Sequence, residues 1–473
     1  MGTINSALSI VSQALDANQQ ALNVVANNVA NANTPGYTVE APNWQENQPV
    51  SIGGVSVGQG VTETGATSQR DRVLESRLDQ QQQLAASSGS RLTALNTLQA
   101  LFTPDSGSSS SNAGDIGSDI TSFFDSFSQL EANPANNAER QSVLSAASTL
   151  AGDISNAAAS LNSQSAALGQ EASGVTSQVN SLTSAIAQLN QQIMTTSPNG
   201  DAGTLEDQRQ QDISQLSKLI GINQIITENN GLAITTTSGQ LLLSEGTSYQ
   251  LTTGTVNGTT SFFLNNSNIT SQLAAGGGSL GGTLTALGQD IPGALNSLDQ
   301  LAYSISTSVN AQNNAGTDLN GVSGSAANPL YIFNQPAAVA GSAATMSVVM
   351  TDPNQIAAAS TAEGSGGSSN ATVMAALANQ SIVNGQTPIN YYSNFVTSLG
   401  ATVSSAQTEN TAQNASVTQL QTQNNALSGV NLNDEASAMT AYERSYQAAS
   451  QVFTMLDSIM ASALNLGDTT AVT

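Results

Sequence analysis

The stretch Asn27-Asn28-Val29-Ala30-Asn31-Ala32-Asn33-Thr34-Pro35-Gly36-Tyr37-Thr38 ends an N-terminal segment whose apolar residues recur with heptad spacing. Ile4, Leu8, Val11, Leu15, Leu22, Val25 and Val29 step by 4, 3, 4, 7, 3 and 4 residues, and Asn18 fills the long gap at heptad spacing. Such spacing makes one apolar seam along a helix, as in a coiled coil. The helix should stop near Asn33, because Pro35 donates no N–H and disfavours helical geometry at Thr34, and Gly36 then permits a turn. At the other end of the chain Met439, Tyr442, Tyr446, Ala449, Phe453, Leu456, Met460 and Ala463 alternate steps of 3 and 4. Two seams of similar length therefore bracket the sequence.

A lone helix with one apolar stripe buries too little surface to offset the entropy of ordering its backbone. Both ends are thus expected to be largely disordered in the free monomer and to fold against each other and against neighbouring subunits on polymerisation. An ordinary helix docked on its own globular domain is the other reading of the same pattern. Asn431 is placed to cap the C-terminal helix, with Asp434 and Glu435 in the first turn, where negative charge suits the helix dipole.

Composition narrows the function. The 473 residues allow about two to four domains. Eight Lys and Arg against 32 Asp and Glu give a net charge of −24, which argues against nucleic acid or an anionic membrane surface as partner. The absence of Cys and His removes disulfides, thiolate or imidazole metal ligands, and catalysis by a His base or Cys nucleophile. No apolar run approaches the roughly 20 residues that span a bilayer, so no membrane insertion is expected. The first basic residue is Arg70, so a cleavable signal with a positive leading region is not expected either.

Helical patterns recur inside the chain. Val175, Val179, Leu182, Ile186, Leu189 and Ile193 form one heptad run, and Leu399, Val403, Ala406, Val417, Leu420 and Leu427 lie on another frame. Weaker patterns cover about 70–101, 119–168, 205–220 and 291–312, and Ser106 to Ser111 reads as a flexible linker. Short β-branched or aromatic runs lie between Ile222 and Leu264, broken by Asn229-Asn230-Gly231, Ser238-Gly239 and Asn257-Gly258. Residues 344–351 are a further candidate strand, and the Gly-punctuated Pro49 to Thr64 reads as an extended hairpin. The fold class is mainly α with an inserted β domain: paired N- and C-terminal coiled-coil helices, an elongated helical bundle and a small outer antiparallel β domain. The expected division is 1–45 with 428–473, 46–220 with 285–427, and 221–284, the last possibly joined by 319–365.

Ala-Asn-Asn-Val-Ala-Asn-Ala-Asn-Thr-Pro-Gly-Tyr at 26–37 resembles the signature shared by rod, hook and junction proteins of the bacterial flagellum. Val57-Gly58-Gln59-Gly60-Val61, Gln69-Arg70-Asp71 and Ser428 to Glu435 followed by Tyr442 and Tyr446 are similar to the hook-associated FlgK family in particular. Phe123-Phe124, Asn133-Pro134, Arg140, Leu205 to Gly221, Val309 to Gly321 and Thr351-Asp352-Pro353 extend the resemblance over nearly the whole chain.

The resemblance implies a structural adapter, exported by the flagellar type III apparatus to the extracellular flagellum, that joins hook to filament. It implies self-association in the axial lattice, contact with the hook protein and with a second junction protein adjoining the filament, and an export chaperone on the C-terminal helix. Leu8, Val11, Leu15, Leu22, Val25 and Val29 are then expected to pack on Met439, Tyr446, Phe453, Leu456 and Met460, with Leu432 and Tyr442 on the same helix. Asn18 either fixes register within that seam or faces solvent at its end. Asn27, Asn28, Asn31 and Asn33 either hydrogen-bond between subunits or form the polar end of a helix, while Pro35, Gly36 and Tyr37 complete the motif.

No catalytic, cofactor or metal residue is assigned, and the chain is not read as an enzyme. Glu206 and Asp207 are the most obvious acidic pair, but adjacent helical residues do not face one another, so they cannot flank one bond as a cell-wall hydrolase requires; they are expected to be solvated surface charges. Asp318-Leu319-Asn320-Gly321 lacks the remaining ligands of a calcium loop and reads as a turn. Gly276-Gly277-Gly278 and Gly281-Gly282 lack the Lys of a phosphate-binding loop and are expected in loops. Another axial protein, hook or distal rod, or a secreted adhesin or surface-layer protein are the alternatives.

Overall fold

In the computed structural model, which describes residues 2–52, 54–103, 116–197, 202–256 and 258–465, the first heptad run is helix α1 (Gly2–Asn31). Thr34 to Tyr37 forms a tight turn in which the Tyr37 N–H donates to Thr34 O, and Gly36 takes φ +81°, the left-handed value that a side chain resists. The chain then enters a hairpin longer than expected. Strand β1 (Glu40–Glu46) pairs antiparallel with β4 (Val61–Ser68), and β2 (Val50–Ile52) pairs with β3 (Val55–Val57) at its tip.

The body is built on long helices: α2 (Arg72–Leu101), α3 (Ile116–Ala132), α4 (Asn137–Thr196) and α5 (Gly203–Leu219). The two patterns read at 119–168 and 175–193 belong to one 60-residue rod, α4, preceded by α3; the break falls at Asn133-Pro134 and is restarted by Asn136, whose side chain accepts from Ala138 N. The linker expected at Ser106 to Ser111 lies outside the described residues.

The central β runs form two sheets. One has the order β5-β6-β7-β8, with β5 (Ile222–Ile226), β6 (Leu232–Thr236), β7 (Leu241–Ser244) and β8 (Thr247–Ser248). The other contains β9 (Leu251–Val256), β10 (Thr259–Leu264) and β11 (Ser267–Asn268), with β10 in the middle. Every pairing is antiparallel.

The glycine-rich stretch expected as a loop is instead two short helices, α6 (Thr270–Gly276) and α7 (Gly278–Thr285). Packing explains this: α7 crosses α2 so closely that a Cβ on Gly282 would lie 2.0 Å from Ser87 O. There glycine serves contact between helices.

Helix α8 (Ile291–Ala315) is followed by β12 (Gly316–Thr317), α9 (Ser342–Thr345), β13 (Ala359–Ser360) and α10 (Ser369–Ala376). The strand expected at 344–351 is not formed; α9 takes its start, and only Val348 pairs, in an isolated bridge to Phe333. The turn at Asp318 is present, with Gly321 N donating to Asp318 O and Val322 N to Asp318 Oδ1. Helices α11 (Pro388–Ser428) and α12 (Leu432–Asn465) complete the chain.

Two apolar cores share α4. Its first half, with α2, α3, α8 and the 330–358 segment, encloses Phe123, Phe127, Leu150, Ile154, Leu301 and Phe333, all at or near zero exposure. Its second half supplies Ala172, Val179 and Ile186 to a core shared with α5, both sheets, α6 and α7. Residues 330–358 thus pack into the helical core, and 221–284 surrounds the far end of α4. The mainly α architecture with small antiparallel sheets and long terminal helices is the one read from the sequence.

Candidate functional site

The two terminal helices lie against each other and against the hairpin. On α12 the positions that turn away from solvent are Met439, Tyr442, Ala449, Phe453, Leu456 and Met460, the frame read from the heptads; Tyr446 is exposed and so is Leu432. On α1 the most buried stripe is offset from the large apolar residues. Ala17, Ala21, Val24, Val25 and Asn28 are buried, Leu8, Val11, Leu15 and Leu22 are half-buried, and Val29 is 41% exposed. Helix α1 is covered both by α12 and by the hairpin strands β1 and β4. The expectation that Val29 packs in the seam is therefore corrected: Asn28 occupies that place.

Asn28 is 1% exposed and uses its whole hydrogen-bonding capacity. Its Nδ2 donates to Glu40 O at 2.8 Å and to Glu435 Oε2 at 3.1 Å. Its Oδ1 accepts from Tyr37 Oη at 2.7 Å and from Glu40 N at 3.1 Å. One amide thus joins α1, the turn after it, β1 and the first turn of α12. Reading Asn28 as a contact between subunits or as a solvent-facing helix end is corrected, since its four bonds close within the chain.

The Pro35-Gly36 turn brings the Tyr37 hydroxyl onto Asn28. Burial first, then the charges of Glu40, Asp207 and Glu435, raise the Tyr37 phenol above its ordinary range, so it stays a donor. Asn27 donates to Tyr37 Oη at 3.3 Å, and Asn31 donates back to Asn27. Asn33 is exposed. Asn18 donates to Ala14 O within its own helix, so the buried polar contact across the seam is that of Asn28. Asn431 caps α12, its Oδ1 accepting from Asn433 N at 3.1 Å.

Directly behind this node the terminal segments are tied to the body. Val39 N donates to Ser428 O, Gln69 N donates to Val39 O, and Ser428 Oγ donates to Gln69 O. Arg70 is buried and pairs with Asp207 and, at 3.2 Å, with Glu75; Asp71 caps α2 through Val73 N and Leu74 N. Asp207 also accepts from Thr38 N at 3.2 Å, and Glu206 pairs with Arg72 at 2.9 Å. The expectation that Glu206 and Asp207 are solvated surface charges is thus overturned. Chain folding places two arginines of distant sequence position, Arg70 and Arg72, beside them, a signal that adjacency in the helix does not carry.

Burial pushes Glu75 up to about 7 and Asp79 up to about 6, and raises Asp207, against the opposing pull of Arg70 on Glu75 and Asp207 and of Gln210 and Gln224 on Asp79. These carboxyls sit in ion pairs and amide contacts that brace α2 against α5. Trp44, the sole tryptophan of the chain, meets Tyr442 edge to face at 5.8 Å and so couples β1 to α12; the sequence reading passed over it. Val452, Met455 and Ile459 form a second apolar stripe on α12 that remains exposed, Met455 at 63%. No group of acidic residues among the described ones has the arrangement of a metal site, and no described helix is long and apolar enough to cross a membrane.

Residues 105–327 match the model of the flagellar hook-associated protein FlgK helical domain. Residues 8–38 match the flagella basal body rod protein model, and residues 422–466 the flagellar basal body rod FlgEFG protein C-terminal model. The chain is 25% identical to flagellar hook-associated protein 1 of Escherichia coli K12, over 98% of this chain and 99% of that one. It is 25% identical to the protein of that name from Bacillus subtilis 168, over 97% of each. The structure of the flagellar hook junction protein FlgK from Burkholderia pseudomallei superimposes with a TM-score of 0.64 at 18% identity, covering 74% of this chain and 99% of that one.

Proposed function

We propose a role for this chain from its family: it belongs to the FlgK family of flagellar hook-associated proteins, and it is a structural subunit of the bacterial flagellum that joins the hook to the filament. The observation that carries the reading is the terminal hairpin. Two helices joined by a hydrogen bond between residues 407 apart bury one seam and leave a second apolar stripe open. A protein that polymerises through its ends needs such a face, because a neighbour's helix covers what its own partner does not.

In this reading residues 1–45 with 428–473 form the inner part of a tube, 46–220 with 285–427 the surrounding helical body, and 221–284 the outward β region. The chain self-associates through the open stripe of Val452, Met455 and Ile459, while Leu22, Val25, Met439, Phe453, Leu456 and Met460 hold its own two terminal helices together. It meets the hook protein on one side and a second junction protein on the filament side. Before export the C-terminal helix, with Tyr442, Tyr446 and Phe453, is held by a chaperone that covers its apolar face. Secretion through the flagellar export apparatus then places the protein outside the cell. Its work is mechanical, not enzymatic.

The helical-domain match over 105–327 favours this assignment over a hook or distal rod protein, and the paired termini favour it over an adhesin. The test is deletion of the gene, with electron microscopy of the cells and measurement of flagellin in the medium. Hooks without filaments, flagellin lost to the medium, and rescue by the full chain but not by one lacking residues 1–33 are expected. Intact filaments on the deletion strain contradict the proposal.

A further inference from the structure

Helices α2 and α5 do not close on each other along their whole length. Near their N-terminal ends they frame a groove of about 300 Å³, floored by β5 and Leu232. Its base is apolar and buried, with Ile213 and Leu232; its rim carries Val73, 71% exposed, and Ile226, 58% exposed. Around it stand Arg70, Arg72, Arg77 and Arg209 against Glu75 and Glu206. Half of the eight basic residues in a chain of net charge −24 thus line one groove.

Internal pairing accounts for some of them. Arg70 and Arg72 hold carboxylates, and Arg209 donates to Asn190 and to the Asn230 carbonyl. Arg77 is exposed and makes no ion pair among the described residues. Two buried atoms on the lining also lack a partner among those residues: Arg70 Nε, a donor, and Glu206 Oε1, an acceptor. Their side chains are 6% and 4% exposed.

The floor points the same way. Strand β5 is the outermost of its sheet. Gly221 and Thr227 bond toward the β6 side, so the alternate residues Ile222, Gln224 and Ile226 turn their backbone groups outward. At Ile222 the side chain of Gln83 stands in for a neighbouring strand, donating to Ile222 O at 3.1 Å and accepting from Ile222 N at 3.2 Å. Further along the same edge, at Gln224 and Ile226, the groove opens.

We propose that this groove is a docking site for an extended acidic peptide segment of another protein. One aliphatic side chain of the segment seats on Ile213 and Leu232, a carboxylate lies against Arg77 and Arg72, and the backbone adds to the open edge of β5. Strand addition gives affinity through main-chain bonds, and the arginines select for acidic sequence. The proposal does not depend on the flagellar role, because binding is read on the full chain in solution.

The probe is a fluorescein-labelled pentapeptide alternating Glu and Val, with a Lys and Val counterpart, measured by anisotropy at low and high salt. The acidic peptide is expected to bind and to weaken with salt, and the basic one not to bind. Arg77→Glu, at an exposed position, should weaken binding by about tenfold or more, while Arg444→Glu on α12 leaves it unchanged. Ile226→Asp should weaken it as well, and circular dichroism confirms that each variant folds. Failure of the acidic peptide to bind, equal binding of the two peptides, or binding indifferent to Arg77→Glu overturns the proposal.

Discussion

The body and the terminal hairpin are both helical, but they are stabilised to very different degrees. In the body, α3 and α4 carry Phe123, Phe127, Leu150 and Ile154 at zero or 1% exposure, enclosed on every side. On α12 no large apolar residue reaches that state, and the residue it buries most deeply is the polar Glu435. Helical periodicity alone therefore does not tell a self-sufficient core from half of an interface. What separates them is the number of elements that cover each face.

The largest effect is expected of Leu22→Asp. In the hairpin a charge on the seam should abolish incorporation into the flagellum while secretion and the thermal unfolding of the body persist; normal junctions in that strain refute it. The converse change, Phe123→Ala, should leave the seam intact but lower body stability by about 3–5 kcal/mol, measured by denaturant unfolding. Its ring packs on Phe124, Phe127 and Phe333, so removal opens a cavity.

Asn28→Ala strands the Glu40 N–H and carbonyl and the Tyr37 hydroxyl and should cost about 1–3 kcal/mol in the hairpin, with a matching loss of assembly. Asn28→Asp should be worse, because it sets a carboxylate beside Glu435 and replaces the amide donor. An assembly-competent alanine variant shows the node to be dispensable.

The body should respond to pH through Glu75 and Asp79. Their folded values, about 7 and about 6, lie above the ordinary 4.5 and 3.8. The folded state therefore holds these protons more tightly than the unfolded chain does. The stability they confer is fully present below the ordinary values and is lost as pH rises through about 6 and about 7. Asp79→Asn keeps an acceptor for Gln210 and Gln224 and removes the charge, so it should raise the melting temperature at about pH 8 and flatten the profile. An unchanged profile rejects the assignment. The smallest effect belongs to Tyr442→Ala, which removes the edge-to-face contact and should weaken docking of β1 on α12 by about 0.5–1.5 kcal/mol, read as a shift in Trp44 emission.

Much of this architecture was legible. Heptads located both terminal helices, Pro35-Gly36 located the end of the first, and Asn230-Gly231 and Ser238-Gly239 located turns between strands, while Asn257 lies outside the described residues. The family and its structural role were carried by the 26–37 motif and by Gln69-Arg70-Asp71. On α1 only large apolar residues were counted, so the buried Ala17 and Ala21 were left out, and Val29, placed in the seam, is exposed. Asn28 was placed in the right motif and given the wrong partners, since its bonds run to Glu40 and Glu435, which only folding brings near. Glu206 and Asp207 were taken as surface for the same reason. The glycines of α6 and α7 showed no helical signal, because their role lies in the approach of α7 to α2.

The most direct test of the contrast is hydrogen–deuterium exchange on the free chain and on the assembled junction. Rapid exchange of Gly2–Asn31 and Leu432–Asn465 is expected in the free chain, with strong protection of both in the assembly and protection of the α3 and α4 core in each. Strong protection of the terminal helices in the free chain would contradict it, because the hairpin would then stand without its neighbours.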